Sequence, residues 1–301
     1  RSVAEAVLRD PALAFELLRA VNSAHVRASQ LGGGSTVLTL RRAIAMLGLD
    51  GLRRAAEVLK PWPGVLDEAR APTLQAAVLQ AKRAARLAQA IRPAGYDAEV
   101  VYLVALLQNL GRLVVRYHHA EEAEQIHRLM WPQEEPAPAV HGEQAAPAAV
   151  RAMSEEAASY AVLGWQTESI GVAVARQWGL DESAQHMLRR LPVDTPVRHA
   201  DGDEDMLRAV ARCANECIDA LWLRDALRGP ALAKIAQRYA RLLGLAPREL
   251  QQALQEAARS DGAPLQETQP FAVDESPQPK DPLQAAQTQP NNAKPAAPAC
   301  A

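Results

Sequence analysis

The stretch Val101-Tyr102-Leu103-Val104-Ala105-Leu106-Leu107-Gln108-Asn109-Leu110-Gly111-Arg112-Leu113-Val114-Val115 decides the fold. It is apolar on nearly every side, and a helix that is apolar all round belongs at the centre of its domain. Two adjacent amides, Gln108 and Asn109, interrupt it, with Gly111 and Arg112 close behind. A polar group buried without a partner costs about 1–3 kcal/mol on mutational scales. The two amides are therefore either hydrogen-bonded within the core or line a cavity.

Around this stretch the chain is built to be helical. Of 301 residues, 49% are apolar but only 4% aromatic, so the core must come from Leu, Ala and Val. Leu and Ala are strong helix formers, and runs of β-branched residues at period two are missing. The fold class is all-α. A net charge of −2 gives no global drive toward nucleic acid or an anionic membrane. Three cysteines, Cys213, Cys217 and Cys300, are too few and too oddly placed for a disulfide framework. That favours a reducing, cytoplasmic setting. No run approaches the roughly 18 apolar residues of a membrane span, and no signal peptide is visible. Opening on Arg1 in helical pattern, the chain is expected to be a piece of a longer protein.

Caps and breakers divide the sequence into helices. Ser2 and Glu5 form a capping box. Asp10 and Pro11 open a second helix, expected to end at Asn22-Ser23-Ala24-His25. Thr39 caps a helix over 40–47 that Gly48 closes, and another follows over 50–60. A long helix covers 72–91 and an amphipathic one 117–130. Residues 131–149, rich in Pro, read as a flexible loop insertion. Ser154 caps the next helix, a further one spans 166–178, and Asp181 caps its successor. The following helix runs to about residue 227, and the last two cover 230–243 and 247–258. After about residue 260 Pro, Gln, Asn and Ala dominate, as in a disordered tail or linker.

Several patterns invite a function and do not carry one. Gly32-Gly33-Gly34 lacks the Lys-Ser or Lys-Thr and the preceding strand of a phosphate loop. The helix–Gly–helix around Gly48 resembles a DNA reader, but Arg41, Arg42, Arg53 and Arg54 are spread over both helices rather than gathered on the second. His118, His119, Glu121, Glu122, Glu124 and His127 read as a solvated face rather than a metal site. Asp201, Asp203 and Asp205 begin a calcium loop that fails at Met206 and Arg212, leaving them to charge a helix N-terminus. Cys213 and Cys217 lie on an apolar face with Met206, Val210 and Leu221, as small buried residues would.

Three segments carry a resemblance. They are Asp10-Pro11-Ala12-Leu13 through Leu18-Arg19-Ala20-Val21-Asn22-Ser23-Ala24, then Leu40-Arg41-Arg42-Ala43-Ile44-Ala45-Met46-Leu47-Gly48-Leu49, then Ala105-Leu106-Leu107-Gln108-Asn109-Leu110-Gly111-Arg112-Leu113. A weaker fourth runs from Leu163-Gly164-Trp165-Gln166-Thr167 to Trp178-Gly179-Leu180. Together they resemble the HDOD domain family. The resemblance implies an HD-like multi-helix bundle of bacterial signal transduction over 1–191. Residues 192–259 would then be a C-terminal helical extension packed on it, and 260–301 the disordered Pro/Gln/Ala-rich tail or linker.

It also implies what the amides replace. In HD phosphohydrolases a His-Asp pair binds a divalent metal that activates water on a phosphoester, which needs an imidazole nitrogen and anionic carboxylates. Gln108 stands where that His belongs and Asn109 where the Asp belongs. Arg112 stands where Lys is common, and Thr167 where another His would be sought. No catalytic residue, metal or cofactor is therefore expected. These four positions become a degenerate site open to a partner or small ligand. The expected function is a non-catalytic regulatory module acting through protein–protein interaction. Its expected partners are signalling proteins or domains, such as a kinase or cyclic-dinucleotide module on the same or another chain, with a homodimer allowed. No membrane is expected, and nucleic acid ranks last. The enzyme alternative is a divergent metal phosphohydrolase acting on phosphodiesters or nucleotides, built on His118, His119, His127 and nearby glutamates.

Overall fold

The computed structural model describes residues 3–29, 36–59, 71–131, 152–191, 197 and 199–259. The chain divides into two units, Arg1–Pro270 and Phe271–Ala301, and every described residue belongs to the first. The readings made for Ser2, Gly32-Gly33-Gly34, the 131–149 insertion beyond Trp131, the tail and Cys300 lie outside the described residues.

Among the described residues there are only helices. They are α1 (Val3–Leu8), α2 (Pro11–Ser29), α3 (Leu40–Val58), α4 (Ala71–Ile91), α5 (Ala98–Leu107), α6 (Leu110–His118) and α7 (Ala120–Met130). Then follow α8 (Glu155–Leu163), α9 (Thr167–Gln177), α10 (Glu182–Leu188), α11 (Asp203–Ala220), α12 (Asp225–Leu243) and α13 (Pro247–Arg259). The all-α reading holds.

α5 is the centre. Every residue from Val101 to Leu107 is buried, and α4, α10 and α11 pack around it. Leu87, Leu103, Leu106 and Cys213 belong to one core cluster. Cys213 and Cys217 are fully buried there, as their apolar face predicts. No single described helix is long and apolar enough to cross a membrane.

The predicted caps form where the side chains can reach orphan amides. Asp10 accepts from Ala12 and Leu13 N–H at 3.0 and 3.2 Å. Thr39 accepts from Arg42 N–H at 3.3 Å, Ser154 from Ala157 at 3.2 Å and Asp181 from Ala184 at 2.9 Å. A further clamp comes from Glu99 on α5. Its buried carboxylate accepts from the backbone N–H of Leu40 and Arg41, pinning the start of α3 to the central helix. At Gly48 the backbone turns to φ 68°, ψ −178°, which kinks α3 where one helix was predicted to close and another to open.

Five boundaries differ from expectation. α2 does not stop at residues 22–25 but continues to Ser29. Asn22 favours helix ends, yet its amide is occupied elsewhere: it donates to Leu18 and Val37 carbonyls and accepts from Val37 N–H at 2.8 Å. α11 ends at Ala220 rather than near 227, and α12 starts at Asp225, keeping Pro230 inside it. Pro230 is the sixth residue of α12, past the first turn, and so forgoes the bond to the Ala226 carbonyl. The amphipathic segment starts at Ala120, after a break at His119. Most important, the opening stretch is two helices. α5 and α6 are bent by 42°, and Asn109 N–H reaches back only to Leu106 in a tightened turn.

Candidate functional site

The break at Gln108 and Asn109 brings two polar clusters together. The first is neutral. Gln108 donates through Nε2 to the Met187 carbonyl at 2.9 Å and to that of Arg208 at 3.3 Å. Asn109 donates through Nδ2 to the Ala105 carbonyl at 3.0 Å and to Asn215 Oδ1 at 2.6 Å. Asn215, on α11, returns its own amide to Gln108 Oε1 at 3.0 Å and to the Ala105 and Ala211 carbonyls. Asn109 and Asn215 are both buried. The amides are thus paired inside the core, the first of the two arrangements that burial allows.

The second cluster is charged and starts one turn later. Arg112 Nε donates to Glu155 Oε1 at 2.8 Å, with Nη2 on the other carboxylate oxygen. The same guanidinium reaches Asp219 twice, at 3.0 and 2.8 Å, and Asn109 Oδ1 at 3.4 Å. Glu155 also takes Arg190 at 2.6 Å and the Thr167 hydroxyl at 2.9 Å. Gln80 donates to Asp219 at 2.9 Å. Burial opposes the charge on Glu155, but Arg112 and Arg190 outweigh it and hold its pKa well below the carboxylate range. Burial likewise opposes Arg112, and Asp219 and Glu155 outweigh it, raising the guanidinium well above an ordinary arginine.

Local sequence explains the placement. Ser154 caps α8 and so sets Glu155 in its first turn, where an anion is favoured. Gly111 lets α6 touch α9: a Cβ there would stand 1.8 Å from the Thr167 carbonyl oxygen. Arg112 and Thr167 thereby meet on the same carboxylate.

A cavity of about 120 Å³ opens beside the charged cluster. Arg112, Glu155, Thr167 and Asp219 form one wall, and Arg116, Ile126, His127, Met130, Trp131 and Trp222 form others. Burial, then Arg112, lowers Arg116 to about 10. Burial, then Arg116, lowers His127 to about 4, so the imidazole is neutral at pH 7.

Of the four positions named from sequence, Arg112 and Thr167 line the cavity, while Gln108 and Asn109 lie behind them in the neutral network. Asn215, Glu155, Arg190, Asp219 and Gln80 were missed. Arg208, Asn215 and Asp219 recur at i, i+7 and i+11 on α11, a polar stripe that could have marked Asn215 and Asp219. Of the three histidines in the enzyme alternative, only His127 reaches the cavity; His118 and His119 are exposed. Among the described residues no three His, Cys, Asp or Glu side chains are grouped to hold a metal. The calcium-like acids part company, Asp203 accepting from the Tyr96 hydroxyl and Asp205 pairing with His186.

The site is thus carried by an all-helical bundle broken at its central helix, with two amides and an arginine at the break. The chain belongs to the HDOD domain family, whose model matches residues 1–191. Among solved structures it is similar to the MmoQ response regulator from Methylococcus capsulatus, at 18% identity and a TM-score of 0.54, over 84% of this chain and 88% of that one. It is also similar to an HDOD domain protein of unknown function from Geobacter sulfurreducens, at 19% identity and a TM-score of 0.42, over 85% and 83%. No curated protein sequence matches it.

Proposed function

We propose that this chain is a regulatory signalling module that performs no hydrolysis and works by binding other signalling proteins or domains in the cytoplasm. The observation that carries the reading is Arg112. Its guanidinium bridges Glu155 and Asp219 and reaches Asn109 Oδ1, at the position where the resemblance to HD phosphohydrolases leads one to expect a divalent cation. A fixed organic cation supplies the local charge balance that a metal would supply, but it offers no open coordination position to activate water. Gln108 and Asn109 spend their amides on Asn215 and backbone carbonyls. The module keeps the architecture of a metal site as internal bracing.

Binding to partners then falls to helix faces. Tyr160 and Trp165, at the end of α8 and just beyond it, are 64% and 68% exposed. Exposed aromatic residues of this kind anchor protein interfaces. Kinase and cyclic-dinucleotide modules, on the same or another chain, are the partner classes to test.

The test has two arms. The purified full chain should contain no stoichiometric metal by elemental analysis and should leave phosphodiester and nucleotide substrates intact. In a pull-down, Trp165→Ser with Tyr160→Ser should weaken capture of a signalling partner about thirtyfold, as loss of one hot-spot aromatic does. Stoichiometric metal with hydrolysis would overturn the non-catalytic reading. Undiminished capture would move the interface off α8.

A further inference from the structure

We propose that the cavity beside Arg112 is a binding site for a small, neutral, apolar molecule, the size of one aromatic ring, held against Met130, Trp131 and Trp222. The inference rests on the reading above that Arg112, and not a metal, holds Glu155 and Asp219.

The polar wall of the cavity has little left to offer a ligand. A guanidinium carries about five N–H donors and a carboxylate about four acceptor positions. Arg112 spends its donors on Glu155 through Nε and Nη2, on Asp219 through Nη1 and Nη2, and on Asn109 Oδ1 through Nη1. Glu155 accepts from Arg112 twice, from Arg190 and from the Thr167 hydroxyl. Asp219 accepts from Arg112 twice and from Gln80. Arg116 and His127 have interactions of their own within the protein. A charged ligand would give up its hydration here and find the opposite charges taken, and burying a charge without a partner is costly.

The rest of the lining is apolar. Val115, Ile126, Met130, Trp131 and Trp222 supply surface, and Ala76, Ala77 and Ala123 leave room. The volume of about 120 Å³ equals about four waters at their share of liquid volume, and each enclosed water needs about two to four polar partners. With the polar wall committed, such waters are poorly held, and an apolar group displaces them at a gain. An apolar cavity of about 150 Å³ admits benzene, so one ring matches the space. Indole rings and a thioether suit an aromatic ligand in particular. α4, α6, α7 and the chain just past α11 all border the cavity. A bound ring ties these elements together, which gives a signalling module an input.

The experiment uses the full chain, with benzene as the probe. About six non-hydrogen atoms set the expected Kd near a millimolar. At about ten times Kd, benzene should raise Tm by about 3 °C. Benzoate and benzylammonium, the same ring with a charge of either sign, should each give less than about a third of that rise. Ala77→Leu fills the cavity from α4 and should abolish the rise. Ala123→Leu fills it from α7 and should do the same, so the idea stays testable if one of the two does not fold. No rise with benzene, an equal rise with benzoate or benzylammonium, or an undiminished rise in a filled variant would overturn the proposal. Elemental analysis of the same sample separates the two readings. A metal-free chain that ignores benzene sinks this inference alone, and a metal-loaded chain sinks the functional reading.

Discussion

The two polar clusters at the α5–α6 break are held by opposite means. Gln108, Asn109 and Asn215 carry no charge and satisfy one another with backbone carbonyls. Arg112, Glu155, Asp219 and Arg190 are ionic and border a cavity. Neutral amides can be sealed in a core once each is paired. Ions need partners of opposite sign and good geometry to repay their desolvation. The division shows how the fold keeps a polar centre: Asn109 and Asn215 are buried and satisfied by amides and carbonyls, and one turn on the buried Glu155 is neutralised by guanidinium groups.

Gly111 joins the two clusters, and disturbing it should have the largest effect. A methyl there overlaps the Thr167 carbonyl oxygen, and Gly171 N lies 2.9 Å from the same point. Both obstacles are backbone, so α6 and α9 must separate. Gly111→Ala should cost at least about 4 kcal/mol, read as lost soluble yield or a collapsed urea midpoint. A loss below about 1 kcal/mol would show that the helices can shift apart cheaply.

The ionic cluster should be next. Arg112→Ala leaves Glu155 to Arg190 and Thr167 and Asp219 to Gln80, and should cost about 3 kcal/mol. Its signature is in the pH dependence. The folded pKa of Glu155 lies well below its ordinary 4.5, so the unfolded chain binds more protons in that interval. The stability from Glu155 is complete above about 4.5 and is lost as pH falls toward the folded value. Urea midpoints measured from pH 7 to pH 3 should fall steeply in the parent and less steeply in Arg112→Ala. Identical slopes would mean that Arg190 alone holds the carboxylate.

Much of this was readable from the chain. The all-round apolar run marked α5 as the centre, and Asp10, Thr39, Ser154 and Asp181 marked helix starts because a cap acts within three residues. The resemblance singled out Gln108, Asn109, Arg112 and Thr167. What escaped was long-range. Asn215 lies 106 residues from Asn109, and Glu155 and Asp219 lie 43 and 107 from Arg112. Local rules see neither. The same blindness misplaced the end of α2, since Asn22 spends its amide on Val37, 15 residues away. The bend at 108–109 was hidden because every residue on both sides is compatible with a helix.

Installing the His-Asp pair of HD phosphohydrolases tests how firmly the neutral cluster braces the core. In Gln108→His with Asn109→Asp, a carboxylate oxygen replaces the Asn109 Nδ2 that faces the Ala105 carbonyl and Asn215 Oδ1. Acceptors then oppose acceptors, at a cost of about 2 kcal/mol. Manganese or zinc should not rescue the loss, because Arg112 still fills the charged wall. Tight metal binding, with stability regained on loading, would show that two substitutions suffice to build a metal site here.

His127 offers the smallest effect and the finest comparison, because it borders the ionic cavity yet is held neutral. Burial first, then Arg116, lowers its pKa from 6.5 to about 4. Between those values the unfolded chain binds a proton that the folded chain refuses, so this contribution is present above pH 6.5 and is lost as pH falls toward 4. Because the ring keeps part of its hydration, the expected magnitude is about 1 kcal/mol. His127→Gln should remove that part of the pH slope while leaving the steeper loss below pH 4.5 that belongs to Glu155. The two limbs separate the clusters by titration: a neutral residue fails on gaining charge, and an ion pair fails on losing it. If His127→Gln flattened both limbs, the cavity wall and the ion pair would be one coupled unit, and the contrast between them would have to be redrawn.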